Sequence, residues 1–214
     1  MEELISHILF IGSGITITLE LLIGGIFIGL VLGLFFSLLR HAGIAVGLIN
    51  HIISILRGTP VILQLSFVYF STPGLLGIKL NIITAGIITF GLNSSAYIAE
   101  ILRAGIESLP KGQFESAKAL QIPNFYMWKD IILPQVIRNI LPAMVNEVIS
   151  LLKETALIST IGGMDIMRKS QSLAAEHFTY FMPLCIVGCY YYGLASFFAY
   201  MGKKIEQRGQ HAKG

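Results

Sequence analysis

The sequence predicts an all-α integral membrane protein with five transmembrane helices. Hydrophobic residues make up 54% of its 214 residues and charged residues only 13%, whereas roughly 25% of the residues in a soluble domain are charged. The apolar residues are gathered into runs of the length that crosses a bilayer as a helix, about 20 residues. Because no soluble domain or low-complexity tract separates these runs, residues 1–214 are predicted to form a single transmembrane domain.

Five predicted spans follow one another along the chain. They cover residues 15–39, 44–72, 82–102, 141–161 and 180–200. Within the first span, Gly24, Gly25, Gly29 and Gly33 are spaced so that another helix can approach closely. The second span is too long and too interrupted for one straight helix, so it is predicted to be broken near residues 58–60.

The predicted break lies in the sequence Arg57-Gly58-Thr59-Pro60. Gly58 has low helix propensity. Pro60 lacks an N–H, and its fixed φ suits the first turn of a new helix, with Thr59 as the expected cap. A half-helix that begins inside the bilayer would present free N–H groups and the positive end of its dipole.

The lysine and arginine residues predict the orientation in the membrane. Ten of them would lie on the cytoplasmic side, namely Arg40, Arg103, Lys111, Lys118, Lys129, Arg138, Lys203, Lys204, Arg208 and Lys213. Three would lie outside, namely Lys79, Arg168 and Lys169. Short cytoplasmic loops carry the excess of basic residues. The N-terminus is therefore predicted to lie outside, and the C-terminus and the loop of residues 104–138 in the cytoplasm.

The loop of residues 104–138 is much more charged than the spans on either side of it. Pro123 divides it into two predicted short helices, over residues 112–120 and 125–133, because the residue before a proline is pushed out of the α region. The second helix is predicted to place three apolar residues on one face, Phe125, Trp128 and Ile132. A polar helix–turn–helix cannot sit in lipid, so we expect this loop to face water and to bind a partner.

The loop resembles a known motif. In the membrane subunits of binding-protein-dependent ABC importers, the cytoplasmic loop is written Glu-Ala-Ala-x3-Gly-x9-Ile-x-Leu-Pro. The matching residues are Glu115, Ala117, Ile131, Leu133 and Pro134, while Ser116 and Gln121 replace an Ala and the Gly. A non-glycine residue at positive φ costs about 1–2 kcal/mol, so the substitution at Gln121 leaves the tightness of the turn open.

Further segments are similar to the polar-amino-acid branch of this family, and the resemblance extends over residues 14–206. They are Arg57–Pro60, Ser95–Glu100, Leu109–Gln113 and Leu151–Thr155. The resemblance implies a type I ABC importer permease fold in a bacterial inner membrane and the uptake of a polar amino acid, either cationic or glutamine.

The resemblance also implies partners. A second permease subunit, identical or different, would complete the pathway, and an extracytoplasmic binding protein would deliver the substrate. A separate ATPase subunit would carry ATP and Mg and dock on the loop. The coupling residues implied are Glu115, Ser116, Ala117, Gln121, Leu133 and Pro134.

Two polar stripes mark a candidate substrate path, because ionisable residues cost about 2.5–3.5 kcal/mol inside a bilayer and usually face a cavity. Asn93, Tyr97 and Glu100 share one face of the third span, and Glu147, Ser150, Leu151 and Glu154 share one face of the fourth. Facing each other, they would line a path. The alternative is structural pairing, of Lys153 with a carboxylate or of Glu100 with Arg103. The candidate substrate-binding residues are Arg57, Gly58, Thr59, Asn93, Glu100, Glu147, Lys153 and Glu154.

Other classes of protein have less support. The chain lacks the Gly-x4-Gly-Lys-Ser/Thr sequence of a P-loop, Gly-x-Ser-x-Gly and His-Glu-x-x-His, so it is not expected to be an enzyme or to hold a cofactor. The five histidines are scattered, at positions 7, 41, 51, 177 and 211, and predict no metal site. No basic patch on a soluble fold indicates nucleic-acid binding. The main alternative is a secondary transporter or channel without ATP, in which an inverted repeat is common.

Overall fold

The computed structural model describes Glu2 to His211, with side chains described as far as Gln207. Lys213, part of the predicted basic tail, lies outside the described residues. The regular secondary structure of the described residues is entirely helical. Ten α-helices run in the order α1 Glu2–Gly12, α2 Ile15–His41, α3 Val46–Gly58, α4 Val61–Leu76, α5 Ile82–Glu107, α6 Lys111–Ala119, α7 Asn124–Tyr126, α8 Leu133–Glu154, α9 Ile166–Glu176 and α10 Phe181–His211. A π-helical turn, Met127–Ile132, precedes α8, and a 3-10 segment, Thr155–Ile161, follows it.

Helices α2 and α5 form the central pair of the fold. Their backbones approach closely because glycines face the neighbouring helix. A Cβ atom on Gly29 would lie 2.9 Å from the Cβ of Ser94, and one on Gly91 would lie 2.6 Å from the Cβ of Ile28. Neither site has room for a methyl group. Small residues of this kind are the usual means of helix contact in membranes.

The main hydrophobic core gathers around this pair. Its buried members come from α2, α4, α5, α8 and the 3-10 segment, and they are Leu21, Leu22, Leu65, Phe90, Leu151, Leu152, Ile158 and Ile161. Side chains of α10 pack on the outside of this cluster. The core therefore joins segments from both halves of the chain into one helical bundle.

Helices α3 and α4 meet at an angle of 103°, at the position where the sequence predicts a broken span. Thr59 has the extended backbone that ends α3, and Pro60 is the N-cap of α4. The prediction that Thr59 caps α4 is therefore wrong. Its hydroxyl instead donates to the carbonyl of Ile55 in the last turn of α3, at 2.9 Å, a bond to the i−4 carbonyl that threonine commonly makes in helices.

Three helical stretches are long and apolar enough to cross a membrane, namely Glu2–His41, Ile82–Glu107 and Phe181–Gln207, and α3 with α4 makes a fourth when counted as one broken span. Helix α8 with the following 3-10 segment covers the predicted span of residues 141–161. It is less apolar than the others, since it carries Arg138, Glu147, Lys153 and Glu154. The total of five spans stays a prediction.

Helix α2 places α9 and the loop of residues 104–138 at opposite ends of the molecule. At its start, the position of a Cβ on Gly14 lies 2.5 Å from the backbone of Asp165, just before α9. At its end, the rings of His41 and Trp128 lie 4.9 Å apart. A helix of 27 residues is about 40 Å long. We call these two regions the α9 end and the α6 end.

Asp165 holds the α9 end together. It is fully buried, and one carboxylate oxygen accepts from the N–H of Arg168 at 2.8 Å as the cap of α9. The other accepts from the hydroxyl of Tyr191 on α10, at 3.1 Å. Burial raises the pKa of Asp165 to about 6, although these hydrogen bonds oppose the shift. The folded protein therefore favours the protonated carboxyl more than the unfolded chain does.

This pKa predicts a pH-dependent stability. Between about pH 4, the ordinary pKa of Asp, and about pH 6, the folded state binds more protons than the unfolded state, so stability falls as the pH rises. The Asp165→Asn variant keeps a good cap and removes this titration. We expect the stability of the purified protein, measured by thermal unfolding, to fall more steeply from pH 4.5 to 6.5 in the wild type than in D165N, by a difference of about 2 kcal/mol. Parallel profiles would contradict the assignment.

Candidate functional site

Glu100 lies at the centre of an arginine cluster near the α6 end. Its carboxylate is 2.6 Å from the guanidinium of Arg40 on α2, 2.9 Å from that of Arg103 on α5, and 3.6 Å from that of Arg57 on α3. The Glu100 side chain is only 18% exposed. The pairing of Glu100 with Arg103, named above as the structural alternative, is present. Both oxygens of Glu100 are therefore occupied by groups of the chain itself.

A cavity of about 590 Å³ adjoins this cluster. Arg57, Tyr97 and Glu100 line one side of it, and Asn139 from α8 lines the other. The guanidinium of Arg57 lies over the Tyr97 ring, 5.2 Å from its centre. Small-molecule sites range over roughly 300–1,000 Å³, so the cavity is large enough for an amino acid.

Two side-chain amides, those of Gln64 and Asn93, form hydrogen bonds across the break between α3 and α4. Gln64 Nε2 donates to the carbonyl of Leu56 and to the hydroxyl of Thr59, each at 2.8 Å. Asn93, which is buried, donates to the same Leu56 carbonyl at 3.1 Å and to Gln64 Oε1 at 3.3 Å. Gln64 is not among the residues predicted from the sequence, although a lone glutamine within an apolar helix was a signal of a buried polar contact. Gly58 remains next to open space, with no atom within 4 Å of a built Cβ.

The two predicted stripes do not face each other along one path. Asn93 is directed to the break between α3 and α4, as described above. The α5 residue that meets Glu147 is instead Ser94, whose hydroxyl donates to the carboxylate at 2.6 Å. Leu151, on the stripe with Glu147, is buried in the main core. The difference arises because neighbouring positions on α5 contact different helices, so Asn93 and Ser94 lie on separate sides of α5.

Lys153 and Glu154 lie at the C-terminal end of α8. Among the described residues, neither side chain forms a salt bridge or a hydrogen bond. Lys153 is exposed, and Glu154 is half-buried. The expected alternative pairing of Lys153 with a carboxylate is absent from the part of the chain that the structure describes.

Helix α6 carries the motif residues on the surface of the α6 end. Ala117 is 2% exposed and packs with Met127, Ile132 and Val136. Glu115 and Ser116, its neighbours, face solvent. Helix α6 therefore packs on the bundle through one face and exposes its other face to solvent.

The turn after α6 has the tight geometry that the sequence leaves open. Gln121 adopts a φ of 54°. Its N–H donates to the carbonyl of Lys118 at 2.9 Å, and the N–H of Ile122 donates to the carbonyl of Ala117 at 3.0 Å. This left-handed closure of a helix is the one that glycine usually occupies. Gln121 therefore holds a strained backbone conformation.

The second half of the loop differs from the predicted helix of residues 125–133. Only α7 is an α-helix, and the π-helical turn connects it directly to α8. Phe125 is 67% exposed, whereas Ile132 is fully buried, so the predicted shared face is wrong. A π turn closes i→i+5 hydrogen bonds and so shifts the helical register. Pro134 does not end the loop but lies in the first turn of α8, where a missing N–H is tolerated.

Large apolar side chains are exposed beside α6. Leu120 is 73% exposed, Phe125 67% and Tyr126 53%. Single exposed apolar residues are ordinary, but a group of them on a polar surface marks an interaction site. With Glu115 and Ser116, these residues form a surface that we call the loop surface.

Comparison with known proteins identifies the family. Residues 25–208 match the family model described as binding-protein-dependent transport system inner membrane component. A putative glutamine transport system permease protein of Rickettsia typhi is 45% identical over 203 residues, which cover 94% of this chain and 93% of the relative. The arginine transport system permease protein ArtQ of Bacillus subtilis is 41% identical over 206 residues, which cover 95% and 94%. The chain belongs to the family of binding-protein-dependent transport system inner membrane components.

Solved structures agree with this assignment. A crystal structure of an amino acid ABC transporter with histidines has a TM-score of 0.90 and 34% identity, covering 96% of this chain and 97% of that one. An inward-facing structure of the MetNI methionine ABC transporter has a TM-score of 0.70 at 17% identity, covering 93% and 94%, and shows similarity of fold alone. The chain has the fold of an ABC importer permease.

The strained turn at Gln121 predicts a stabilising substitution. Gln121→Gly should raise the stability of the purified protein by about 1 kcal/mol, because glycine adopts positive φ without steric cost. The control is Ala119→Gly, at an exposed α-helical position two residues earlier, which should cost about 1 kcal/mol. Thermal unfolding in detergent measures both. A Q121G variant that melts at or below the wild-type temperature would contradict the strain.

Proposed function

We propose that this chain is the membrane-spanning permease subunit of an ATP-driven importer for a polar amino acid, with the ATPase docking on the loop surface. The observation that carries the proposal is the loop surface itself. The motif residues Glu115 and Ser116 are displayed there beside exposed apolar side chains, while Ala117 seats the helix on the bundle. Family membership supports the same role, because permeases of this family work with a separate ATPase and a binding protein.

The proposed orientation in a bacterial inner membrane follows from the two ends of the molecule. The α6 end would lie in the cytoplasm, where the ATPase subunit carries ATP and Mg. The α9 end and the N-terminus would face outward, where the extracytoplasmic binding protein delivers the substrate. The excess of Lys and Arg at the α6 end supports this orientation. A second permease subunit completes the pathway.

The secondary transporter or channel without ATP has less support. Such a protein does not need a surface that binds a nucleotide-hydrolysing partner. The loop surface would then expose apolar side chains to water without a function, at a cost in solubility. The relatives named above are glutamine and arginine permeases of transport systems, which supports the amino acid as the class of substrate.

Contacts within the chain support a smaller set of proposed substrate-binding residues. Glu100, Asn93 and Thr59 are occupied by groups of the chain, so we assign them to holding the helices in place. Glu154 and Lys153 have no partner among the described residues and remain candidates for direct contact. Near the break, Arg57 and Gly58 border open space. We propose that Arg57 binds the substrate's carboxylate at one point of the path, where a guanidinium offers charge-assisted hydrogen bonds. Arg57 lies beside Asn139 and Ala143 of α8, about three turns or more from Glu154 at the other end of that helix. Glu154, with Glu147 two turns before it, therefore contacts the substrate's side chain at a separate point of the path.

Reversing the charge of Glu115 should uncouple ATP hydrolysis from transport. Glu115 is exposed, so Glu115→Lys should leave the fold intact while changing the surface on which the ATPase docks. We expect substrate-stimulated ATPase activity and uptake to fall by more than about tenfold in proteoliposomes, since one disrupted interface charge costs roughly 1.4 kcal/mol or more. The control is Glu176→Lys, the same change at the exposed end of α9. Wild-type activity in E115K would rule out docking at this residue.

Glu154→Gln should change substrate selection. Loss of a charge-assisted hydrogen bond costs about 1–3 kcal/mol, so uptake of a cationic amino acid should fall about 5- to 150-fold while glutamine uptake changes little. Glu20→Gln, at an exposed carboxylate of α2, is the control. Glu100→Gln, by contrast, should reduce the uptake of both substrates by the same factor, because the ion pairs of Glu100 join three helices. Competition assays on the reconstituted complex measure the ratio, and equal losses for both substrates in E154Q would assign Glu154 a structural role.

A further inference from the structure

Two histidines and a carboxylate that are distant in the sequence meet at the α9 end. Glu3 and His7 are four residues apart on α1 and so share one face of that helix. His177 is the residue that ends α9. The rings of His7 and His177 lie 4.8 Å apart, and one potential ligand atom from each of the three residues lies within 4.8 Å of the others.

Contacts outside this group fix both sides of it. On α1, the Ile8 carbonyl accepts from the hydroxyl of Tyr190 on α10, at 2.9 Å. The ammonium group of Lys169 on α9 lies 4.6 Å from the centre of the Phe10 ring. These contacts hold α1 against α9 and α10 whether or not anything is bound. Glu3 and His7 are therefore presented toward His177 by the packing of the helices.

The turn after α9 places the third residue. The N–H of His177 donates to the carbonyl of Leu173 at 3.1 Å, and the N–H of Thr179 donates to the carbonyl of Ala174 at 3.1 Å. Between them, Phe178 adopts a φ of 50° and is 94% exposed. The chain thus turns sharply just after His177, and its imidazole stays beside α1.

The chemistry of the three side chains selects a transition metal. Two imidazoles and one carboxylate form a set that binds Zn²⁺ and leaves a further position for water. Ca²⁺ and Mg²⁺ prefer oxygen ligands only. Ligand atoms about 2.0–2.2 Å from a tetrahedral Zn²⁺ lie roughly 3.3–3.5 Å from one another. Because the three ligand atoms all lie within 4.8 Å of one another, they need to approach by at most about 1.5 Å, which small rotations of the three side chains can supply.

The position of the group separates it from the proposed transport path. Residues Glu2–His41 form one helical stretch of 40 residues, about 60 Å long and so about twice the thickness of the hydrocarbon layer. Glu3 and His7 lie in its first two turns, beside a cavity of about 300 Å³ that also contains Thr179. The group is thus at the surface of the α9 end and open to dissolved ions.

We propose that Glu3, His7 and His177 form a binding site for a divalent transition metal, with Zn²⁺ the best fit, that clips α1 to the connection between α9 and α10. The bound metal would stabilise the folded protein by mass action. It would also tie the first helix of the chain to the helix pair that follows the 3-10 segment. The site does not depend on the substrate or the ATPase.

Metal binding to the full-length protein tests the proposal. The chain, purified without a histidine tag and stripped with EDTA, is titrated with Zn²⁺ in detergent by calorimetry. We expect one Zn²⁺ per chain, with at least about tenfold weaker binding in His7→Ala and in His177→Ala. His51→Ala, at an exposed histidine of α3, is the matched control and should bind as the wild type does. With Co²⁺ as a second probe, the wild type should show the visible absorption of a tetrahedral site, and H177A should lose it.

Two further measurements make the result decisive. Without metal, the wild type, H7A and H177A should unfold at the same temperature. Weaker Zn²⁺ binding by the variants then reflects the loss of a ligand and not a loss of folded structure. Where a histidine variant melts early, Glu3→Gln decides, since it is isosteric and exposed and should also weaken Zn²⁺ binding. Three outcomes overturn the proposal: no stoichiometric Zn²⁺ binding by the wild type, wild-type affinity in H7A and H177A, or a loss of affinity in H51A as large as theirs. Uptake is not measured in these experiments, so their outcome is independent of the proposed transport function.

Discussion

The glycine-mediated contact between α2 and α5 is the interaction on which the rest of the structure depends. With Gly29 and Gly91 at the contact, the two backbones come close enough to bury one side of α5 completely. Phe90, Ala96 and Ile98 are consequently fully buried. Helix α5 then lies at the centre of the bundle, where it also contacts α3, α4 and α8. A wider spacing would also draw Arg40 on α2 away from Glu100 on α5, and so disturb the arginine cluster.

The second constraint is that polar groups away from water must find partners within the protein, because an unsatisfied backbone group in hydrocarbon costs several kcal/mol. The break between α3 and α4 frees the carbonyl of Leu56, and the amides of Gln64 and Asn93 satisfy it. Glu100 is balanced by three arginines in the same way. Among the described residues, Lys153 and Glu154 are left without such partners, and this supports them, with Arg57 at the cavity, as the proposed substrate contacts.

The two ends of the molecule are built for different tasks. At the α6 end, a short helix seated by Ala117 displays polar and apolar side chains together, which suits a protein partner. At the α9 end, the buried Asp165 joins α9 to α10, and contacts of Tyr190 and Lys169 hold α1 beside them. The α6 end presents exposed side chains, whereas the α9 end is held together by contacts between its own helices. Changes made at one end are therefore expected to leave the other intact.

The sequence by itself determined the all-helical membrane class, the position of the break near Gly58, the exposed motif helix and the family. These properties depend on composition and on residues close together in the chain, so local physical chemistry is sufficient to predict them. The polar stripes were predicted from the same local information, because the face of a helix on which a residue lies follows from spacing alone.

Only the tertiary structure decided which polar residues meet. Asn93 and Ser94 are adjacent, yet one contacts the break and the other Glu147, and this depends on how α5 is rotated among its neighbours. The π-helical turn changed the register of the loop, so Phe125 and Ile132 separated. His7 and His177 came together because α1 packs against α9. In each case, packing between residues distant in the chain sets the rotation and position of a helix, and no local pattern records it.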